Sequence, residues 1–230
     1  MGSRLKTATG VALGPVWAGV WGPERGMREA TLVPRDAPAP ALPRAPAWQR
    51  AALAERADKD TFFEPRALRI LVEQVGQVAA VEAPISLTEL SRRVASAWGH
   101  KRLTEKVRRR VLDAVEAAEQ SRQGTRRGEF YWTLDQDPDG LTLARGPAED
   151  GEVRDPDDIA EEELAAGALV VLRGLLSAPQ ADLLRELSRH LGLGAVGARL
   201  RARLELGVDR LVAQGRALRE GDRVALKPGA

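Results

Sequence analysis

The chain has 230 residues and no cysteine, which excludes disulfides and thiol chemistry and removes the commonest structural zinc ligand. Its 35 Lys and Arg stand against 33 Asp and Glu, so a pI near 9.3 accompanies a net charge of only +2. So small an excess neither demands nor excludes a nucleic-acid partner, and the local distribution of charge becomes the informative quantity.

Residues 1–33 are an N-terminal extension in which Val11, Leu13, Val16, Trp17, Val20 and Trp21 stand among glycines and prolines, and they read as short strands. Trp17 and Trp21 are expected to anchor a small packing cluster rather than to stack on bases. The start has the charge and apolar run of a signal peptide, but Gly10, Gly14, Pro15 and Gly19 interrupt it and no cleavage site follows. No run approaches transmembrane length, so a cytoplasmic protein with no membrane partner is expected. Residues 34–60 form a Pro/Ala-rich linker, extended over 34–46, followed by a short helix over 47–58 with Trp48, Ala52 and Leu53 on one side.

Residues 61–135 read as one domain. A helix begins at Pro65 and carries Leu68, Leu71, Val72, Val75, Val78 and Ala79. Ser86 and Glu89 have capping-box spacing for a second helix, through Leu90, Val94 and Trp98, that stops at Gly99. The run 101–115 reads as a third, with Leu103, Val107, Val111, Ala114 and Val115 on one side and Arg102, Glu105, Lys106, Arg109 and Asp113 on the other. A polar, glycine-bearing turn over 121–128 then leads into a β-prone strand over 129–134. Three helices closed by a β-hairpin form the winged-helix plan, a variant of helix-turn-helix.

Residues 136–158 are an acidic linker, with Leu141 to Ala144 a candidate hairpin; a solubilising spacer is the preferred reading over a mimic of nucleic-acid phosphate. Residues 159–230 repeat the plan at an offset of 93 (183 − 90 for Leu183 and Leu90). The same offset pairs Trp98 with Leu191, Gly99 with Gly192, Lys106 with Arg199, Arg110 with Arg203, Val111 with Leu204 and Gly128 with Gly221. The fold expected is mainly α with small β-hairpin wings, as tandem winged-helix repeats plus the N-terminal extension. The second copy presents Ala195, Ala198 and Ala202 where the first presents Arg102, Glu105 and Arg109. That contrast makes the first copy the nucleic-acid candidate and the second the protein-docking candidate.

No catalytic residue, metal site or cofactor is expected. His100 and His190 are not equivalent in the repeat, no glycine-rich loop ends in Gly-Lys-Ser/Thr, and the carboxylates cluster in a segment read as flexible.

The motifs VEAPIS (81–86), ELSRRV (89–94), AWG (97–99) and GEFYW (128–132), followed by an acidic segment and a second half, resemble an uncharacterised domain family. Its members stand at the C-terminal end of large bacterial superfamily 1 helicase proteins that also carry a very-short-patch-repair-type endonuclease domain. The likeness spans roughly residues 60–230, and MREATLVP (27–34) is similar to the segment that precedes the domain. It implies a DNA-processing setting, in repair or in defence against foreign DNA, and supplies no catalytic residues.

The function expected is non-enzymatic DNA binding, to duplex or fork with little sequence preference. Lys101, Arg102, Lys106 and Arg109 would meet the DNA, Arg122, Arg126 and Arg127 in the wing would grip the adjacent backbone, and Arg199 would add a contact from the second copy. The alternative is a protein-interaction or homodimerisation scaffold that docks a helicase or nuclease partner.

Overall fold

In the computed structural model, residues 42–56 and 59–229 are described. The expectations for residues 1–33, Trp17 and Trp21 included, and for 34–41 lie outside the described residues. The first repeat runs α1 (Ala67–Glu82), β1 (Ile85–Ser86), α2 (Leu87–Ala97), α3 (Glu105–Gln120), β2 (Thr125–Arg127) and β3 (Phe130–Trp132). The second runs α4 (Glu161–Leu175), β4 (Ser177–Pro179), α5 (Gln180–Leu191), α6 (Ala198–Ala213), β5 (Ala217–Glu220) and β6 (Arg223–Leu226). Each repeat closes an antiparallel three-stranded sheet in the same order, β1-β3-β2 and β4-β6-β5. This is the mainly α architecture with small β wings that the pattern predicts, with one addition. The strand after the first helix, Ile85–Ser86, pairs with Tyr131 and Phe130 and is too short to show a period of its own.

Each repeat builds its core from the apolar faces of its helices. Leu71, Val75, Leu90, Val94, Val111 and Val115 are fully buried in the first, and Leu164, Leu172, Leu183, Leu187, Leu204 and Leu211 in the second. Removing such a side chain from water contributes about 1.5–3 kcal/mol each, the main drive for both cores. The glycines shared by the repeats have a backbone reason. Gly99 and Gly192 end the second helix of each copy at φ of +78° and +72°, and Gly128 and Gly221 turn the wings at +55° and +63°. The paired arginines also recur as structure. Arg110 donates to the carbonyls of Phe62 (3.3 Å) and Glu64 (2.7 Å), and Arg203 to those of Pro156 (3.2 Å) and Ile159 (2.5 Å). In both copies this guanidinium ties the third helix to the 3₁₀ turn that precedes the first.

Several local expectations are overturned. The segment 47–56 is not helical, although its residues favour a helix. Its backbone is taken by distant partners. Ala47 pairs in parallel with Gly146, the Ala51 N–H donates to Glu82 Oε1 at 3.0 Å, Arg93 donates to the Ala51 carbonyl at 2.6 Å, and the Arg56 N–H donates to the Ala97 carbonyl at 2.6 Å. With Trp48 buried, the segment is a strap laid across both repeats. The third helix starts at Glu105, because the Thr104 hydroxyl accepts from the Val107 N–H and caps it there, and it continues to Gln120. The first helix starts at Ala67, two residues past Pro65. Ser86 caps α2 through the Glu89 N–H at 2.9 Å, but the Glu89 carboxylate pairs with Arg92 instead of completing the box.

The acidic segment is not a spacer. Residues 141–144 form no hairpin, and Ala144 is buried in the second core. Beside it, the Glu163 carboxylate of α4, 1% exposed, accepts from the Arg145 N–H (2.9 Å), from Arg145 Nε (3.0 Å) and Nη2 (2.8 Å), and from Arg154 Nη1 (2.9 Å) and Nη2 (2.7 Å). Arg145 also donates to the carbonyls of Glu82 (2.8 Å) and Pro84 (2.9 Å) at the end of α1. One carboxylate therefore ties the acidic segment to both repeats. Burial alone would raise the Glu163 pKa, but the charges of Arg154 and Arg145 and their hydrogen bonds outweigh it and hold the group down at about 2.

The Glu163 cluster and the α4–α6 packing each give a measurable expectation. Removing the charge in Glu163→Gln leaves two guanidinium groups short of their partner and should lower stability at pH 7 by about 3–5 kcal/mol in urea denaturation. Because the folded pKa is depressed, the wild-type advantage is complete above the ordinary value near 4.5 and drains away as pH falls toward about 2, so the two proteins should converge in acid. Separately, a Cβ at Gly207 of α6 would stand 2.5 Å from Leu164 Cβ and 2.8 Å from the Leu164 carbonyl carbon on α4. Overpacking of about 1–3 kcal/mol should therefore outweigh the ~1 kcal/mol by which a helix prefers alanine, and Gly207→Ala should melt lower than wild type.

Candidate nucleic-acid interface

The eight cations expected at an interface fall into three places. Lys101 and Arg102 are not helical but lie in the α2–α3 turn, brought beside the start of α3 by the Thr104 cap; Lys106 and Arg109 stand on the first half of that helix. Arg122, Arg126 and Arg127 follow α3 and enter the wing. Arg199 stands on the first turn of α6, in the second repeat. The wing doubles back along α3. Arg126 meets Glu119 near the end of the helix, and at the tip Glu129 approaches Arg108 on its first half at 3.7 Å.

Partnership separates these cations more sharply than position does. Arg126 is held by Glu119 through its own N–H and its guanidinium, at 2.6 Å each. Arg127 faces Asp139 at 3.7 Å, and the same carboxylate accepts from Arg210 at 2.7 Å. Arg199 donates to Asp155 at 2.7 Å and to Asp157, whose hydrogen bond and charge together with that of Asp155 raise its pKa. Arg109 has a loose contact with Asp113 at 3.7 Å and keeps 78% of its side chain exposed. Among the described residues, Lys101, Arg102, Lys106 and Arg122 form no ion pair. The repeat equivalents Lys106 and Arg199 thus differ in state: one is unpaired, the other neutralised by the acidic segment.

Two further cations join the turn, and sequence reasoning missed both. Arg56, at the end of the strap, lies over the Trp98 ring at 5.6 Å, and the Lys59 stem packs on Gly99. Both are exposed, and neither forms an ion pair among the described residues. The available signal was weak, two basic residues, Arg56 and Lys59, shortly before the pair Phe62-Phe63, and it was hidden by the reading of this stretch as linker and helix. Phe63 is exposed, and Lys106 Nζ sits 4.4 Å from its ring centre. His100 adds no charge at neutral pH, because burial, helped by the charge of Lys59, lowers its pKa below the ordinary 6.5. Glu105 lies in the first turn of α3, where the helix dipole favours a carboxylate. The result is a cationic face on the turn side of α3 with an aromatic ring in it.

Among the described residues no group of three or more His, Cys, Asp or Glu could hold a metal ion, and no helix is long and apolar enough to cross a membrane. In comparison with known proteins, residues 60–109 match a protein family of unknown function (DUF3320). The matched stretch holds α1, α2 and the first turn of α3, with Lys101, Arg102, Lys106 and Arg109 inside it. No curated protein and no solved structure matches the chain.

Neutralisation of Arg199 is directly testable. Asp155→Asn/Asp157→Asn should elute from a heparin column at higher salt than Glu149→Gln/Asp150→Asn, which changes net charge equally but releases no arginine. Equal elution of the two would show that Arg199 is not masked.

Proposed function

We propose that this chain is a non-enzymatic DNA-binding module, acting in the cytoplasm, that holds the phosphate backbone on the turn side of α3 with little sequence preference. The observation that carries the reading is the contrast in partnership. Lys101, Arg102 and Lys106 form no ion pair among the described residues, while Arg126, Arg127 and Arg199 face carboxylates. An unpaired exposed ammonium or guanidinium gains from a phosphate by releasing counterions, whereas a paired one must first give up a carboxylate. The wing arginines Arg126 and Arg127 are therefore minor contributors in this reading, and Arg122 is the available one. Adenine edges are read through Asn and Gln, and neither stands on the exposed face of the first half of α3. The resemblance of residues 60–230 to a domain appended to helicases suits a module that holds DNA for a helicase or nuclease partner.

A second reading has its own observation. The outward row of α6 carries Ala198, Ala202 and Leu206, with Leu206 38% exposed and Leu218 of β5 43% exposed nearby in sequence. Such a row suits protein docking or self-association, with the DNA face left to the first repeat.

Fluorescence-anisotropy titration against a short duplex at several salt concentrations distinguishes the two. Lys101→Ala/Arg102→Ala/Lys106→Ala should weaken binding tenfold or more, with the salt slope reduced by about 0.9 for each phosphate that is no longer neutralised. Arg126→Ala/Arg127→Ala should change it by less than about threefold, since those side chains already have partners. Absence of binding by the wild-type chain at low salt would remove the first reading and leave the second.

A further inference from the structure

Phe62 and Phe63 share the 3₁₀ turn Thr61–Phe63 but face opposite ways. Phe62 is fully buried and makes edge contacts with Trp98 (5.5 Å) and His100 (4.6 Å). Phe63 is 37% exposed, and its ring is steadied by edge contacts with Phe62 (5.0 Å) and His100 (6.0 Å). Arg110 fixes the turn beneath both through the carbonyls of Phe62 and Glu64. The chain therefore holds one aromatic ring in a set orientation at the surface, among cations of the strap, the turn and α3.

Lys106 Nζ lies 4.4 Å from the Phe63 centroid. A cation–π contact at an exposed site contributes about 0.5–1 kcal/mol, less than the roughly 1–3 kcal/mol of a base stacked on an aromatic ring. Exchange is therefore favourable: a base can replace the ammonium on the ring, and Lys106 becomes free for the neighbouring phosphate. A base inside a duplex has both faces covered by its neighbours, so only an unpaired nucleotide can make this stack. Arg56 and Lys59, which lie against Trp98 and Gly99, and Lys101 and Arg102 of the following turn are all exposed and provide the positive charge that single-strand binders combine with such a ring.

Resting on the DNA-binding reading above, we propose that this face is a site for single-stranded nucleic acid, in which an unpaired base stacks on Phe63 and the flanking phosphates are held by Arg56, Lys59, Lys101 and Arg102. A strand end frayed from a duplex would meet the site in the same way.

The test is anisotropy titration of the full chain with a single-stranded DNA of about 12 nucleotides, within the ordinary site size of such binders, an RNA of the same sequence and a blunt duplex. Phe63→Leu keeps an apolar cover over Phe62 but removes the π face; it should weaken single-strand binding about fivefold or more and leave duplex binding within about twofold. Phe63→Trp should keep single-strand affinity and show quenching of the new indole by the oligonucleotide, a readout that does not depend on the leucine variant folding well. Equal loss on DNA and RNA supports stacking as the common chemistry, and a loss confined to one of them assigns the site to that polymer. If Phe63→Leu binds the single strands as the wild type does, or loses the duplex equally, the proposal is overturned while the DNA-binding reading stands. If the wild type binds none of the three, both fall.

Discussion

The buried carboxylate of Glu163 is the point on which the two repeats and the segment between them depend. A lone ion in that position would cost several kcal/mol in forfeited hydration, and it is tolerated because two guanidinium groups and a backbone N–H converge on it. Arg145 carries the constraint onward to the carbonyls at the end of α1, and the Arg154 guanidinium lies 6.0 Å from the centre of the buried Trp48 ring in the strap. The strap, the end of α1, the acidic segment and α4 are thus held by one cluster of charge. Its consequence reaches the surface, because fixing residues 145–163 also fixes Asp155 and Asp157 against Arg199 and Asp158 against Ser86 and Arg92.

The repeats therefore share a fold and differ in electrostatic state. Both keep the left-handed glycines that end the second helix and turn the wing, and both keep the arginine that ties the third helix to the preceding turn. These positions answer to backbone geometry and would be needed whatever the protein bound. The outward positions are under no such demand, and there the copies diverge. The first leaves Lys101, Arg102 and Lys106 without an ion pair among the described residues, whereas the second pairs Arg199 with Asp155 and Asp157 and has alanine at 195, 198 and 202. The proposed phosphate-binding role, confined to the first repeat, rests on that difference.

Much of the architecture was legible in the chain. The apolar spacing of the first three helices, the offset of 93 and the paired glycines are local or periodic signals, and they led to a mainly α fold with small β wings in two copies. The strap was not legible, because residues 47–56 have helical composition and only long-range bonds to Glu82, Arg93, Ala97 and Gly146 pull the backbone straight. For the same reason the acidic segment read as spacer. Within the candidate interface, the sequence located Lys101, Arg102, Lys106 and Arg109 as a basic stretch but placed the helix start four residues early, since the Thr104 cap competes with the amphipathic pattern that runs through it.

What the sequence by itself determined is therefore the repeated unit, its cores and its basic third-helix region, because periodicity and punctuation are properties of neighbouring residues. Which arginines are free to meet a ligand was decided only by the tertiary structure. Arg199 and Asp157 stand 42 positions apart, and a carboxylate that far along the chain leaves no local mark on the arginine it neutralises. The union of Arg56, Lys59 and Phe63 with the α2–α3 turn was decided at the same level, by a strap whose path follows bonds to both repeats rather than its own propensity.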